Sequence, residues 1–403
     1  MSDAALTLDS HKQEKEFHTG RVSLIASAHG FHDIYSSFLA PMLPVLIERF
    51  SITLTQASLL SVFYSLPSLS QPFLGYIADR VGSRWFVIFA PAITGIVMSS
   101  LNILPSYWLV VVFLMLSGLN SAALHSTGPV MIGNNSGSKM GLGMGFWMGA
   151  GEIARVMGPL IIVSALKFLS PQNTIWLASA GIFMSLFLYL KLRDYRVSME
   201  SKDSTVPAKR ALKLMMPVLL PVSALVVARA FAFISLTTFL PTYMTQKGAS
   251  LMAAGASLSL MEAAGVAGAF AGGILSDKLG RNRLITLAMI FTGLFLIAFT
   301  FSSGWWVYPI LLGLGFSLLS VTPVFMALVI EGSPGARALA NGIFMAVNFG
   351  IVSLASLVVG QLADRFGLSN AYLISAAIIL LAVPLVFFIP KKSEENTIIE
   401  EGA

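Results

Sequence analysis

The chain has 403 residues, 56% hydrophobic and only 11% charged, with a mean hydropathy of +0.81. Soluble domains carry roughly 25% charged residues, so this deficit excludes an ordinary soluble enzyme. The net charge of +6 comes from lysines and arginines set between apolar runs, a pattern of membrane topology rather than nucleic-acid binding. The absence of cysteine excludes disulfides, thiolate metal sites and cysteine nucleophiles.

Residues 1–21 are polar, mixed in charge and without the apolar core of a signal peptide; they read as a cytoplasmic tail. A membrane helix needs about 20 mostly apolar residues. Such runs predict twelve spans, near 22–46, 56–78, 85–103, 107–131, 142–167, 173–192, 214–243, 251–275, 284–302, 305–330, 338–363 and 369–390. Pro67, Pro91 and Pro323 fall inside spans, which membrane helices tolerate. With the N-terminus inside, nineteen of the 25 lysines and arginines lie on the cytoplasmic side. Four lie outside (Arg49, Lys167, Lys247, Arg365) and two, Arg155 and Arg229, lie within spans. One missed span would invert every later loop and erase that bias.

The polar stretch 193–213 divides the chain into a six-helix half at 22–192 and another at 214–390, and residues 391–403 form a second cytoplasmic tail. At an offset of 198, Gly75 matches Gly273, Asp79 matches Asp277, Arg80 matches Lys278 and Gly82 matches Gly280. Two such halves in parallel repeat describe the major facilitator fold, an all-α membrane architecture.

GYIADRVGSR (75–84) and GGILSDKLGRNR (272–283) both resemble the cytoplasmic signature of the major facilitator superfamily. The resemblance implies a latch that holds the two halves in the outward-facing state. It assigns Gly75, Asp79, Arg80, Gly82 and Arg84 to one copy, and Gly273, Asp277, Lys278, Gly280 and Arg281 to the other. A similar string, GQLADRFG (360–367), falls outside in this topology and is expected to have no latch role. HGFHDIYSSFLAPMLPVL (29–46), ALHSTGP (123–129) and GMGFWMGAGEIARVMGP (143–159) resemble the fosmidomycin resistance protein family more narrowly.

Ionisable groups at membrane depth cost at least about 2.5–3.5 kcal/mol each, so each is a functional candidate. The candidates for substrate binding or coupling are His29, His32, Asp33, His125, Glu152, Arg155, Arg229 and Glu262. Spans three, six, nine and twelve carry none in their interiors, as the superfamily's lipid-facing helices would require. His29, His32 and Asp33 share one helix face, and so do Glu152 and Arg155. Plainer roles compete: Glu152 and Arg155 as a neutralising pair, His32 as a packing residue, His125 as a cap. Arg229 needs Asp33, Glu152 or Glu262 as a partner, or an anionic solute.

The loops are too short for a nucleotide-binding domain and contain no phosphate-binding Gly-Lys loop, so an ion or solute gradient must supply energy. Burial favours the neutral form of a carboxyl group, which suits proton exchange. The expectation is therefore a proton-coupled secondary transporter without cofactor, metal or nucleic-acid partner, monomeric and in the bacterial inner membrane. The efflux resemblance favours export of a small anionic or zwitterionic solute. Import of an organic anion or metal chelate is the alternative; a membrane sensor is less consistent with the short tails, and a lipid translocase would need a lateral opening that the sequence does not show.

Overall fold

The computed structural model describes residues 16–71, 73, 74, 77, 84–195, 208–332 and 337–390, and every regular element among them is helical. The first group comprises α1 (Thr19–Ser36), α2 (Leu39–Phe50), α3 (Leu54–Ser65), α4 (Arg84–Ser100), α5 (Tyr107–Asn135), α6 (Met140–Phe168) and α7 (Ala178–Leu192). The second comprises α8 (Ala208–Thr237), α9 (Leu240–Gln246), α10 (Leu251–Leu279), α11 (Arg281–Phe301), α12 (Val307–Ser320), α13 (Thr322–Glu331), α14 (Arg337–Phe366) and α15 (Leu368–Leu381). Among the described residues, nine helical runs are long and apolar enough to cross a bilayer, and α4 is shorter at 17 residues. The outward faces are apolar: Phe183, Phe301 and Leu381 are 75–79% exposed, which water would penalise and lipid does not.

Among the described residues, three predicted spans are split into two α-helices each. The first breaks between α1 and α2 at Ser37–Phe38, the seventh between α8 and α9 at Thr238–Phe239, and the tenth at Val321. Proline explains the first two, because its ring displaces the carbonyl four residues upstream. Pro41 lies four residues after Ser37, and Pro241 four after Thr237. Pro323 follows the third break directly. The first two breaks share a sequence, Ser-Ser-Phe-Leu at 36–39 and Thr-Thr-Phe-Leu at 237–240.

Within the first group α1 packs on α4, α5 and α6, and α4 on α7; within the second, α10 packs on α12, and α11 on α12 and α15. The α10–α12 contact is made backbone to backbone. A Cβ at Gly268 would lie 2.2 Å from the Phe316 carbonyl, and one at Gly272 2.1 Å from that of Ser320. Such close approach is how membrane helices gain packing without a hydrophobic drive between them.

The two groups meet along α3–α14, α6–α10 and α2–α9. At the end that carries Phe50 and Leu54 the seam is shut by Asp364. Its Oδ1 accepts from the Leu54 amide at 2.7 Å, and its Oδ2 from the Thr55 amide at 2.8 Å. The Thr53 hydroxyl accepts from the Gln56 amide and the Thr53 carbonyl from that of Ala57. The four amides that open α3 are thus all satisfied, two of them by the other group. Gly360 lets α14 come this close, since a Cβ there would lie 2.4 Å from Ser58 Oγ and 3.0 Å from Thr55 Cα. The Gly-Gln-Leu-Ala-Asp string, of which no latch role was expected, therefore does join the groups; the donors it meets are the backbone amides of a helix start that carries no charge signature. Towards the opposite end Gly145, Gly149, Gly342 and Gly350 have no heavy atom within 4 Å of a would-be Cβ.

Candidate functional site

Between the groups at mid-depth lies a cavity of about 390 Å³. Its charged and titratable walls are Asp33 from α1, His125 from α5, Arg155 from α6 and Glu262 from α10, joined by Tyr64 from α3 and Phe233 from α8. Four of the eight residues singled out from the sequence thus line one space.

On the wall of the first group, His29 Nε2 lies 3.1 Å from Asp33 Oδ2 and 3.3 Å from His125 Nε2. His29 Nδ1 is 2.9 Å from the Trp147 carbonyl, and His125 Nδ1 is 2.9 Å from that of Ser121. Carbonyls only accept, so both Nδ1 atoms carry hydrogen and both Nε2 atoms face each other. The Trp147 ring stacks on His29 with centroids 3.9 Å apart and planes 5° from parallel. Gly151 clears the space beside them: a Cβ there would lie 2.6 Å from His29 Cε1 and 2.9 Å from Asp33 Oδ2.

His32 is fully buried and does not reach the cavity. Asn120 donates to Thr94 Oγ1 at 2.7 Å, leaving the Thr94 hydroxyl to donate to His32 Nδ1 at 2.7 Å. His32 then directs Nε2–H at Ser36 Oγ, 3.3 Å away, with Asp33 Oδ1 at 3.8 Å. His32 is thus a buried histidine whose ring nitrogens both have hydroxyl partners.

The other wall is an ion-pair triad. Arg155 Nη2 donates to Glu152 Oε2 on its own helix. Its Nε lies 3.9 Å from Glu262 Oε2 across the seam, too long for a hydrogen bond. Neither that Nε nor that Oε2 has a hydrogen-bond partner among the described residues. Arg155 keeps 40% of its side chain exposed to the cavity and Glu262 10%.

Arg229 is not brought to this space. It is 5% exposed, and its Nε donates to the Leu318 carbonyl at 2.9 Å and its Nη2 to Thr322 Oγ1 at 2.7 Å. Those acceptors flank the α12–α13 break, and a cation is favoured at a helix C-terminus. The Phe233 ring covers the guanidinium with its centroid 5.1 Å away.

Of the signature residues, Gly75, Asp79, Arg80 and Gly82 lie outside the described residues. Arg84 donates to the Tyr195 carbonyl at 2.7 Å, and Arg281 pairs with Glu331. Asp277 and Lys278 are exposed, and Gly273 faces open space. Gly280 takes φ +86°, the left-handed region that a side chain resists, at the turn into α11.

Sequence reasoning missed Tyr64, Gly151 and Ser121. Tyr64 donates to Ser36 Oγ at 2.8 Å and is polar within an apolar run, the one signal available for it.

Lipid-exposed apolar helices in two groups around a charged mid-depth cavity are the build of a secondary membrane transporter, not of an enzyme. The Major Facilitator Superfamily model matches residues 25–352, and the chain belongs to that superfamily. It is 25% identical to the fosmidomycin resistance protein of Escherichia coli (strain K12), over 94% of each chain. It is 22% identical to the multidrug resistance protein MdtG of Escherichia fergusonii, over 86% of this chain and 88% of that one. Among solved structures it is similar to an inward-facing, occupied bacterial homologue of the human lysosomal transporter Spinster. That match has a TM-score of 0.76 and 14% identity, covering 96% of this chain and 98% of the other. A nucleoside transporter matches with a TM-score of 0.74 and 13% identity, over 92% and 100%. The major facilitator fold expected from the sequence is the fold found, with nine helical runs among the described residues long and apolar enough to span, and the chain is a multi-pass membrane protein.

Proposed function

We propose that the chain exports a small zwitterionic or anionic organic solute from the cytoplasm in exchange for protons, with Glu262 as the coupling acid. The observation that carries this reading is the Arg155–Glu262 pair, held at 3.9 Å across the seam and facing the cavity. Ionised Glu262 is available to the cationic end of a solute while the Arg155 fork receives its anionic end. A proton on Glu262 removes the first contact, so solute and proton compete for one carboxylate. Glu152 keeps Arg155 charged and placed in both conditions.

The excess of lysine and arginine on the N-terminal side supports an orientation in which the Phe50 end faces outward. On that orientation the closed seam at Asp364 supports an inward-facing arrangement, ready to load from the cytoplasm. The names of the relatives above, which speak of resistance, favour export.

A second reading has its own support. An anion with no cationic group would displace Glu262 from Arg155 and leave that carboxylate to take a proton. Solute and proton then travel together, and the protein is an importer.

The test uses proteoliposomes with an imposed pH gradient and a panel of amino acids, aminophosphonates and plain carboxylic acids chosen by thermal stabilisation. Protons moving against the solute support export by exchange; protons moving with it support the importer. Glu262→Gln should lose accumulation driven by the pH gradient yet retain solute–solute exchange. Parent-level accumulation in Glu262→Gln would remove Glu262 from the coupling step.

A further inference from the structure

We propose that His29, Asp33 and His125 form a binding site for one divalent transition-metal ion of the zinc type on the wall of the central cavity. Three donor atoms converge there: two imidazole Nε2 atoms and a carboxylate oxygen, all within 4.8 Å of one another. Tetrahedral zinc bonds of about 2.0–2.1 Å set neighbouring ligand atoms roughly 3.3–3.4 Å apart. Two of the three edges, 3.3 Å between the imidazoles and 3.1 Å from His29 to Asp33, fit that spacing, and the third lies within 4.8 Å.

The surroundings are those of a prepared ligand set. Each imidazole donates its Nδ1 hydrogen to a backbone carbonyl, at Trp147 and at Ser121, which turns its Nε2 lone pair inward. This second contact is what orients metal-bound histidines generally. Two neutral imidazoles so held present lone pair to lone pair at 3.3 Å, an arrangement that calls for a cation between them. Gly151 keeps the space beside His29 and Asp33 free of a side chain, and the stacked Trp147 ring fixes the plane of His29.

Two imidazoles and one carboxylate suit zinc, cobalt or nickel, whereas magnesium and calcium want oxygen ligands throughout. Asp33 and His125 both line the cavity, so the remaining coordination position opens onto it. There it would accept a donor atom of a chelating solute. The site is separate from the Arg155–Glu262 pair, and its occupancy is read without any transport measurement.

The experiment is binding of Zn²⁺ by calorimetry, and of Co²⁺ by its tetrahedral ligand-field bands, to the purified full chain stripped of metal. One equivalent should bind the parent. His125→Ala and Asp33→Asn should each weaken binding by at least about tenfold and abolish the cobalt bands. His11→Ala with His18→Ala, in the N-terminal segment, should leave both signals intact. Melting curves report whether each variant folds, and His125→Gln replaces any alanine variant that does not. Absence of a stoichiometric metal in the parent, or binding that survives in the folded His125 and Asp33 variants, overturns the proposal. A proton alone would then be the cation between the imidazoles.

Discussion

Replacing Asp364 by alanine removes both acceptors that bind α14 to the start of α3 across the seam. Losing a single helix cap costs about 0.5–2 kcal/mol. Here one carboxylate serves two amides and also meets the positive end of the α3 dipole, which adds strength. Asp364 is exposed, however, and in the open state water takes over the freed amides, so the net effect falls near 1–2 kcal/mol. That is roughly a 5–30-fold shift of population away from closure at this end. The amide of an asparagine side chain keeps one of the two acceptors, so Asp364→Asn should shift the balance less. The chain has no cysteine, so Glu48→Cys and Gln246→Cys introduced together carry spin labels at two defined places flanking the seam. Pulsed electron spectroscopy then reads the distance distribution directly. Asp364→Ala should enlarge the long-distance fraction, Asp364→Asn less so. An unchanged distribution in both would mean that the bond across the seam carries no conformational bias.

Gly360→Val should shift the same distribution in the same direction, because its first side-chain carbon already meets Ser58 Oγ at 2.4 Å. Arg229→Ala should lower the melting temperature through the loss of two charge-assisted hydrogen bonds at the α12–α13 break, a cost of about 2–3 kcal/mol. Solute affinity measured beside it should change little, and a large affinity loss at unchanged stability would return Arg229 to the solute. Asp79→Asn should slow transport with an almost unchanged melting curve if the cytoplasmic signature acts as a state-dependent latch; normal flux with a large loss of stability would make it structural.

Much of the fold was legible because a bilayer imposes one rule on every span, a long apolar run with basic residues at one end. At α6 the span expected over 142–167 and the helix found, Met140–Phe168, agree to within two residues at each end. The interruptions near Ser37 and Thr238 were not foreseen, although Pro41 and Pro241 announce them, since hydropathy averages over a break. For the site, charge at depth found Asp33, His125, Arg155 and Glu262, because burying charge is costly enough to demand a reason. It found Arg229 by the same logic, but the reason there is a pair of helix-end acceptors 89 and 93 residues away. Partners at that distance leave no local pattern. Asp364 was passed over for the opposite cause: its partners are backbone amides, which every sequence has.

The paired breaks at Ser37–Phe38 and Thr238–Phe239 bear on leakage. Beyond them, α2 and α9 pack on each other at the closed end, while His29 and Asp33 stay on the inner side in α1. Each outer piece is thus a short lever on a two-residue joint. Swinging α2 needs no rotation of α1, the helix that holds His29 and Asp33. On the orientation proposed above, bending at these joints would let the passage at the other end close before α2 and α9 part. A cycle with that order keeps the solute enclosed midway and gives ions no moment at which both mouths stand open.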